Sequence, residues 1–181
     1  MRGKVLVAYG TKHGSTREVA EVVAETLRER GVDVDAVSAD RVDDVAAYDA
    51  VVIGGAIYMG RWHPAAAEFL ERHRKRLAGL PVAVFGMGPR TMEESAERET
   101  RAQLDKALEM VSEVSPAAVA VFGGVVDPKR LHFPFNHMPP SDARDWASIR
   151  AWAGSVGEAF GYGKAAFEAR DHRRELQRSP R

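Results

Sequence analysis

Lys4-Val-Leu-Val-Ala-Tyr9, followed at once by Gly10-Thr-Lys-His-Gly-Ser-Thr16, decides how the rest of the chain is read. The first segment is a continuous apolar run of the kind carried by a strand covered on both faces. The second is a loop of small, hydroxylated and cationic residues. Ser15 and Thr16 are cap types for a helix starting near Arg17, and Ser15 with Glu18 has capping-box spacing. A helix starting there leaves its first N–H groups unpaired and facing the loop, with the positive end of the helix dipole behind them. A phosphate dianion fits such a junction. Thr11, Ser15 and Thr16 add hydroxyls, Lys12 a cation, His13 a further donor, and Gly14 room for close backbone approach. The simpler alternative is an ordinary turn, since Gly, Ser and Thr are common turn residues and any strand-to-helix junction needs a cap.

Several classes are excluded. A Walker loop has four residues between its glycines and a Lys after the second, whereas Gly10 and Gly14 enclose three and Ser15 follows. Gly86-Met-Gly88 opens a dinucleotide fingerprint, but Thr91 stands at its third glycine position. Receiver domains need an acidic cluster after the first strand and an Asp after the third, where this chain has Gly10-Thr-Lys-His13 and Gly54-Gly-Ala-Ile57. The 181 residues carry 26 Lys plus Arg and 26 Asp plus Glu, so no basic footprint for nucleic acid is present. With no cysteine, disulfides, thiolate nucleophiles and cysteine-ligated iron–sulfur clusters are excluded, and redox chemistry needs an organic cofactor or another metal site. The start Met1-Arg-Gly-Lys4 leads into a strand too short for a signal peptide, and no apolar run approaches a membrane span, so a cytoplasmic location is expected.

Strand patterns at residues 5–9, 32–37, 50–55, 82–85 and 118–122 alternate with helical ones. Helices are expected over 17–30, briefly over 43–48, from Pro64 to about 77, around Leu104, Ala107, Leu108 and Val111, and along Trp146, Ile149, Ala153, Val156 and Phe160. On that last stripe Trp146 is expected to face the core, and Trp146 and Trp152 both to pack. Five βα units predict an α/β three-layer sandwich, a five-stranded parallel sheet in the order 2-1-3-4-5 with helices on both faces. The first, third and fourth strands are then neighbours, and the loops after them meet at one crevice: 10–16, then Gly55-Ala-Ile-Tyr-Met-Gly60, then Gly86-Met-Gly-Pro-Arg90. The second loop, with Ile57, Tyr58, Met59 and Trp62, has residues to wall a flat heteroaromatic ring. The third offers backbone groups to the ring edge while Met87 covers a face.

In strand order, in Thr11-Lys-His-Gly-Ser-Thr16 and in the placing of the two later loops, the chain resembles the flavodoxin family over nearly its whole length. Within it, Val52-Ile-Gly-Gly-Ala-Ile-Tyr-Met-Gly-Arg-Trp-His63, Phe69-Leu-Glu-Arg-His73 and Asp142-Ala-Arg-Asp-Trp146 are similar to the flavodoxin-type, quinone-dependent protoporphyrinogen dehydrogenases of haem biosynthesis. The resemblance implies a noncovalent FMN, its phosphate on residues 11–16 and its ring between Ala56, Ile57, Tyr58, Met59 and Gly60 on one side and Gly86, Met87, Gly88, Pro89 and Arg90 on the other. Tyr58 is the stacking candidate, and the Met59-Gly60 backbone the candidate partner of flavin N5. The chain departs from electron-carrier flavodoxins, which have an acidic surface and an aromatic residue after the fourth strand; this chain is neutral and has Met87-Gly-Pro89 there.

A flavodoxin-like domain is expected over 1–161, with an insertion at about 127–140 and a basic tail at 162–181. The insertion, Asp127-Pro-Lys-Arg-Leu-His-Phe-Pro-Phe-Asn-His-Met-Pro-Pro140, is long for a compact domain. Phe133 and Phe135, with Lys129 and Arg130 to pair with carboxylates, suit a lid over a planar or lipidic substrate such as a porphyrinogen or a quinone. The alternative is a cover for core or for a homodimer contact. His63 is the candidate proton donor to flavin or substrate, set against plain hydrogen bonding before the Pro64 helix. His132 and His137 lack ligand spacing, so no metal is expected. From Gly163 the tail has six basic and three acidic residues, which raises peripheral contact with the inner face of an anionic membrane. Three functions stand side by side: an FMN oxidoreductase passing electrons from a small-molecule or tetrapyrrole substrate to a quinone, a flavodoxin carrier serving a protein partner, and a doubly wound domain with another ligand or none.

Overall fold

Strands that are apolar on both faces can only be satisfied between two layers of helices, and the chain builds that arrangement. The computed structural model describes residues 3–163. In chain order the elements are β1 (Lys4–Gly10), α1 (Ser15–Arg28), β2 (Asp33–Ser38), β3 (Ala50–Tyr58), β4 (Arg61–Trp62), α2 (Pro64–Leu77), β5 (Val82–Met87), α3 (Glu94–Glu109), β6 (Ala118–Phe122), β7 (Val125–Val126), β8 (Ser141–Asp142) and α4 (Trp146–Ala159).

The sheet runs β2-β1-β3-β5-β6, all parallel, which is the order 2-1-3-4-5 counted over the parallel strands. It has one strand more than expected, because β4 turns back antiparallel on β3 with Tyr58 opposite Arg61. Successive side chains of β1 go to opposite layers. Val5 and Val7 pack with Val19, Val23 and Leu27 of α1 and Ile149 and Val156 of α4. Leu6 and Ala8 pack with Phe69, Leu70 and Leu77 of α2 and Leu104 of α3.

Two expectations fail here. Residues 43–48 form no helix: a 3₁₀ turn at Ala39–Arg41 is followed by irregular chain, in which Asp44 Oδ1 accepts the Ala46 N–H at 3.0 Å. An aspartate satisfying a nearby amide competes with helix formation, and buried Val42 and Val45 pin the segment extended along the α2 layer. On α4, Trp146 is 37% exposed with the Arg144 guanidinium 4.6 Å above its ring. Trp152 packs as expected, edge-on to Phe85 and Phe122 at 5.9 and 5.5 Å.

Among the described residues no helix is long and apolar enough to cross a membrane. Of the basic tail, all but residues 162 and 163 lie outside the described residues.

Candidate functional site

Gly10, Gly55 and Gly86 stand in register across β1, β3 and β5. A Cβ on each would meet, respectively, His63 Nδ1 at 2.6 Å, Trp62 Nε1 at 2.6 Å and Ile57 Cδ1 at 2.9 Å. This row without side chains lets the β3–β4 hairpin and the start of α2 fold down on the sheet edge. The three loops expected to share a crevice therefore begin side by side.

In the first loop Gly14 has φ 93° and ψ −15°, a left-handed conformation that suits glycine. Its N–H donates to Thr11 Oγ1 at 2.9 Å, leaving the Thr11 hydroxyl hydrogen for another acceptor. The α1 ladder starts with the Glu18 N–H donating to the Gly14 carbonyl at 3.1 Å, so the amides of Ser15, Thr16 and Arg17 precede it. The expected Ser15 cap is not formed; α1 begins at Ser15 itself, and Gly14 holds the cap position without a side-chain bond. Thr16 is fully buried, and among the described residues its Oγ1 has no hydrogen-bond partner. An unpaired buried hydroxyl costs about 1–3 kcal/mol. At the start of a helix, beside three amides with no partner among the described residues, that cost is recovered when an oxyanion supplies the partner. The donor set fits a phosphate. Lys12 is exposed, while burial, then Lys12 and Arg130, hold His13 below the ordinary histidine value.

In the second loop Met59 (φ 49°) and Gly60 (φ 75°) are the two central residues of a tight hairpin turn. The Met59 side chain is 78% exposed and the Tyr58 ring half exposed, both at the carboxyl end of β3. Ala56 gives its carbonyl to the His63 N–H at 2.8 Å, and half-buried Ile57 lies over Gly86 and Gly88. Trp62 is no ring wall: it is buried, with Nε1 donating to the Gly55 carbonyl at 3.0 Å. Met87 does not cover a ring face either, because it is the last residue of β5 and its side chain, 2% exposed, belongs to the α1/α4 core. In the third loop the Gly88 N–H donates to the Phe122 carbonyl at 3.0 Å, and the carbonyl of buried Pro89 accepts from Gly124 at 2.9 Å. The Gly88 N–H is thus taken, its carbonyl oxygen lies 2.6 Å from where a Cβ on Gly124 would stand, and Arg90 is exposed.

His63 caps α2. Its Nδ1 accepts the Ala65 N–H at 3.3 Å, which requires that nitrogen unprotonated and puts the ring hydrogen on Nε2. Burial holds its pKa below the ordinary value, opposed by Asp40 and Glu68.

The insertion is the loop of the β7–β8 hairpin, and none of its described side chains belongs to either core. Phe133 is 80% exposed. Asp127 caps the short turn Pro128–Arg130 by accepting the Lys129 N–H at 3.1 Å. That turn delivers Arg130 to the first loop, where Nη1 donates to the His13 carbonyl. A contact unexpected from the sequence closes the other end: Arg144, its side chain nearly buried, is gripped by Asp142 Oδ2 and by Glu18 Oε2 of α1, both at 2.7 Å. Between them lies a cavity of about 200 Å³ lined by His13, Ser15, Glu18, Arg130, Leu131 and Arg144.

Residues 6–138 match the family described as "Flavodoxin domain". Over 86 residues, 46% of this chain and 48% of the relative, the sequence is 36% identical to the protoporphyrinogen IX dehydrogenase [quinone] of Escherichia coli K12. Over 89 residues, 47% and 56% of the two chains, it is 34% identical to the "probable flavodoxin 1" of Bacillus subtilis. The chain thus spans about half the length of the curated relatives it matches. The oxidised flavodoxin 2 of Bacillus cereus superposes with a TM-score of 0.59 over 87% of this chain and 100% of that one, at 21% identity, a likeness of fold.

Proposed function

The chain belongs to the Flavodoxin domain family, which implies FMN as its cofactor, and on that premise we propose that it is an oxidoreductase passing electrons from a porphyrinogen-type substrate through FMN to a quinone. The observation that carries the flavin reading is the buried Thr16 hydroxyl beside the first amides of α1, all without a partner among the described residues, a donor set that suits an oxyanion at the end of β1. The substrate and acceptor are read from the similarity to the E. coli dehydrogenase.

FMN, when bound, supplies two-electron chemistry to the substrate and hands the electrons on. The amides of Ser15, Thr16 and Arg17 and the hydroxyls of Thr11, Ser15 and Thr16 hold its phosphate, each donating a hydrogen bond to an oxygen. Tyr58 supplies an aromatic face, and the Met59-Gly60 turn and the 88–90 backbone supply polar groups at the ring edge. Ile57, packed on Gly86 and Gly88, keeps the floor between those loops dry. His63 Nε2, which carries the ring hydrogen while Nδ1 caps α2, is the candidate hydrogen-bond donor to flavin or substrate at the mouth of the second loop. Lys129 and Phe133 of the insertion are candidates to cover the substrate; the side chain of Phe135, the other candidate, lies outside the described part of the structure.

A second reading, an electron carrier for a protein partner, is favoured by the similarity to the B. subtilis flavodoxin, at nearly the same identity. The deciding experiment purifies the chain from riboflavin-supplied cells, identifies any flavin released on heating, and assays protoporphyrinogen oxidation anaerobically with a menaquinone analogue. Bound FMN with turnover supports the enzyme. Bound FMN without turnover moves the weight to the carrier, and a chain that binds no added FMN removes both.

A further inference from the structure

We propose that Arg130 binds the phosphate of the flavin nucleotide, so that the insertion, rather than the loop after β1 alone, completes the phosphate site. The proposal rests on the flavin reading above. It also moves Arg130 from the substrate side, where the sequence placed it, to the cofactor side.

The guanidinium lies against the peptide that precedes α1. Its Nη1 donates to the His13 carbonyl, and the same nitrogen is 3.6 Å from where a Cβ on Gly14 would stand. Its Nε is 3.2 Å from Asp127 Oδ2. Nη2, the third nitrogen, has no hydrogen-bond partner among the described residues, and the side chain is 56% exposed. Arg130 therefore carries spare donors at the rim of the loop that holds the orphaned Thr16 hydroxyl.

A second cation beside Lys12 suits the charge of the ligand. A phosphate monoester carries between one and two negative charges at pH 7. The α1 amides and the threonine and serine hydroxyls are neutral donors, and Lys12, the cation of the loop itself, is exposed. Asp127 and Glu18, the acidic neighbours, each face a guanidinium, that of Arg130 and that of Arg144. A guanidinium offers a planar fork to two phosphate oxygens at once, stronger than a neutral donor pair.

The arm is also held in place. The Asp127 cap fixes the turn that carries Arg130, and Arg144 ties the far side of the same hairpin to Glu18 in the first turn of α1. The insertion and the phosphate loop thus form one unit, and the nucleotide phosphate adds a third tie between them.

The test titrates the apo-protein with FMN and with riboflavin, which lacks the phosphate, following quenching of flavin fluorescence in the wild type, Arg130→Gln and Arg130→Lys. FMN binding should weaken about tenfold or more in R130Q, the range for losing a hydrogen bond to a charged group. Riboflavin binding should stay within about twofold, R130K should recover part of the loss, and the salt dependence of FMN binding should be shallower in R130Q. Equal FMN affinity in the wild type and R130Q overturns the proposal. So does an equal loss for both flavins, which marks Arg130 as a tie between loops only. If the wild type binds neither flavin, the flavin reading itself falls and takes the proposal with it; that outcome is distinct, because the other two require wild-type binding.

Discussion

His63 Nδ1 lies 2.6 Å from the point where a Cβ on Gly10 would stand, so the end of β1 and the cap of α2 occupy one space that only a glycine leaves open. The same imidazole holds the Ala65 N–H. The strand that leads into the phosphate loop and the helix that follows the ring-side hairpin are therefore set against each other by one pair of residues.

Gly10→Ala is expected to destabilise the protein by about 2 kcal/mol, the usual range for over-packing a filled site. With His63→Ala in the same chain the loss should fall short of the sum of the two single losses by about 1 kcal/mol or more, because the clash partner is gone. Urea unfolding of the four variants of the cycle measures this; strict additivity refutes the contact.

The His63 cap works only while Nδ1 is unprotonated. Burial lowers its folded-state pKa, so the fold favours the neutral ring. Its contribution is complete above the unfolded value of about 6.5 and is lost as pH falls through the folded value. His63→Asn keeps a capping oxygen without titrating near neutrality. Stability curves from pH 8 to pH 5 should show the wild type losing more than H63N, and parallel curves count against a neutral cap.

Thr16→Val should act with opposite signs on the two states. Removing an unpaired buried hydroxyl leaves the apo-protein as stable or more so, by up to about 1 kcal/mol, while FMN binding weakens about tenfold. Denaturant midpoints without flavin, together with flavin titration, read both. A variant less stable without flavin would mean that the hydroxyl has a protein partner.

Met59 holds φ 49° at the first central position of its turn, an uncommon conformation for a residue with a Cβ. Met59→Asn creates the Asn-Gly pair that this turn prefers, and should stabilise by about 0.5–1 kcal/mol, since the lost side chain is mostly exposed. Gly60→Ala, at φ 75°, should destabilise by about 1 kcal/mol or more. Thermal midpoints of both variants test the turn, and the absence of a sign difference refutes it.

Replacing residues 129–138 by a short Gly-Ser turn should change folding stability by less than about 1 kcal/mol, because no described side chain of that segment joins either core. Collapse of the fold would show that the segment is a structural cover. Retained fold with weakened FMN binding and lost turnover agrees with a segment that serves cofactor and substrate.

The legible parts were those set by local pattern. Residues 5–9, 50–55 and 82–85 read as buried strands because each stretch is apolar at nearly every position, and a chain neighbour cannot reverse that. Thr11 to Thr16 read as an oxyanion loop because its donors lie within one turn of sequence. Where two local preferences competed, the reading failed: residues 43–48 had helical residue types, but the Asp44 side chain took the Ala46 amide. Trp146 and Trp152 lie six positions apart on α4, and only packing against Phe85 and Phe122 selected which of them is inside. The β4 hairpin was hidden because Met59-Gly60 is not a residue pair that announces its turn.

The sequence by itself determined the alternation of strands and helices, the placing of three glycine-bearing loops and the chemistry of the first of them, since these depend on residues close together in the chain. Tertiary structure alone decided that Gly10, Gly55 and Gly86 form one row, that Met87 and Trp62 turn inward, and that Arg130 lies on the His13–Gly14 peptide 117 positions upstream in sequence. Sheet register and the fold of a long loop are fixed by contacts between distant residues. Those contacts depend on shapes and unpaired donors that exist only once the two layers of helices have closed on the sheet.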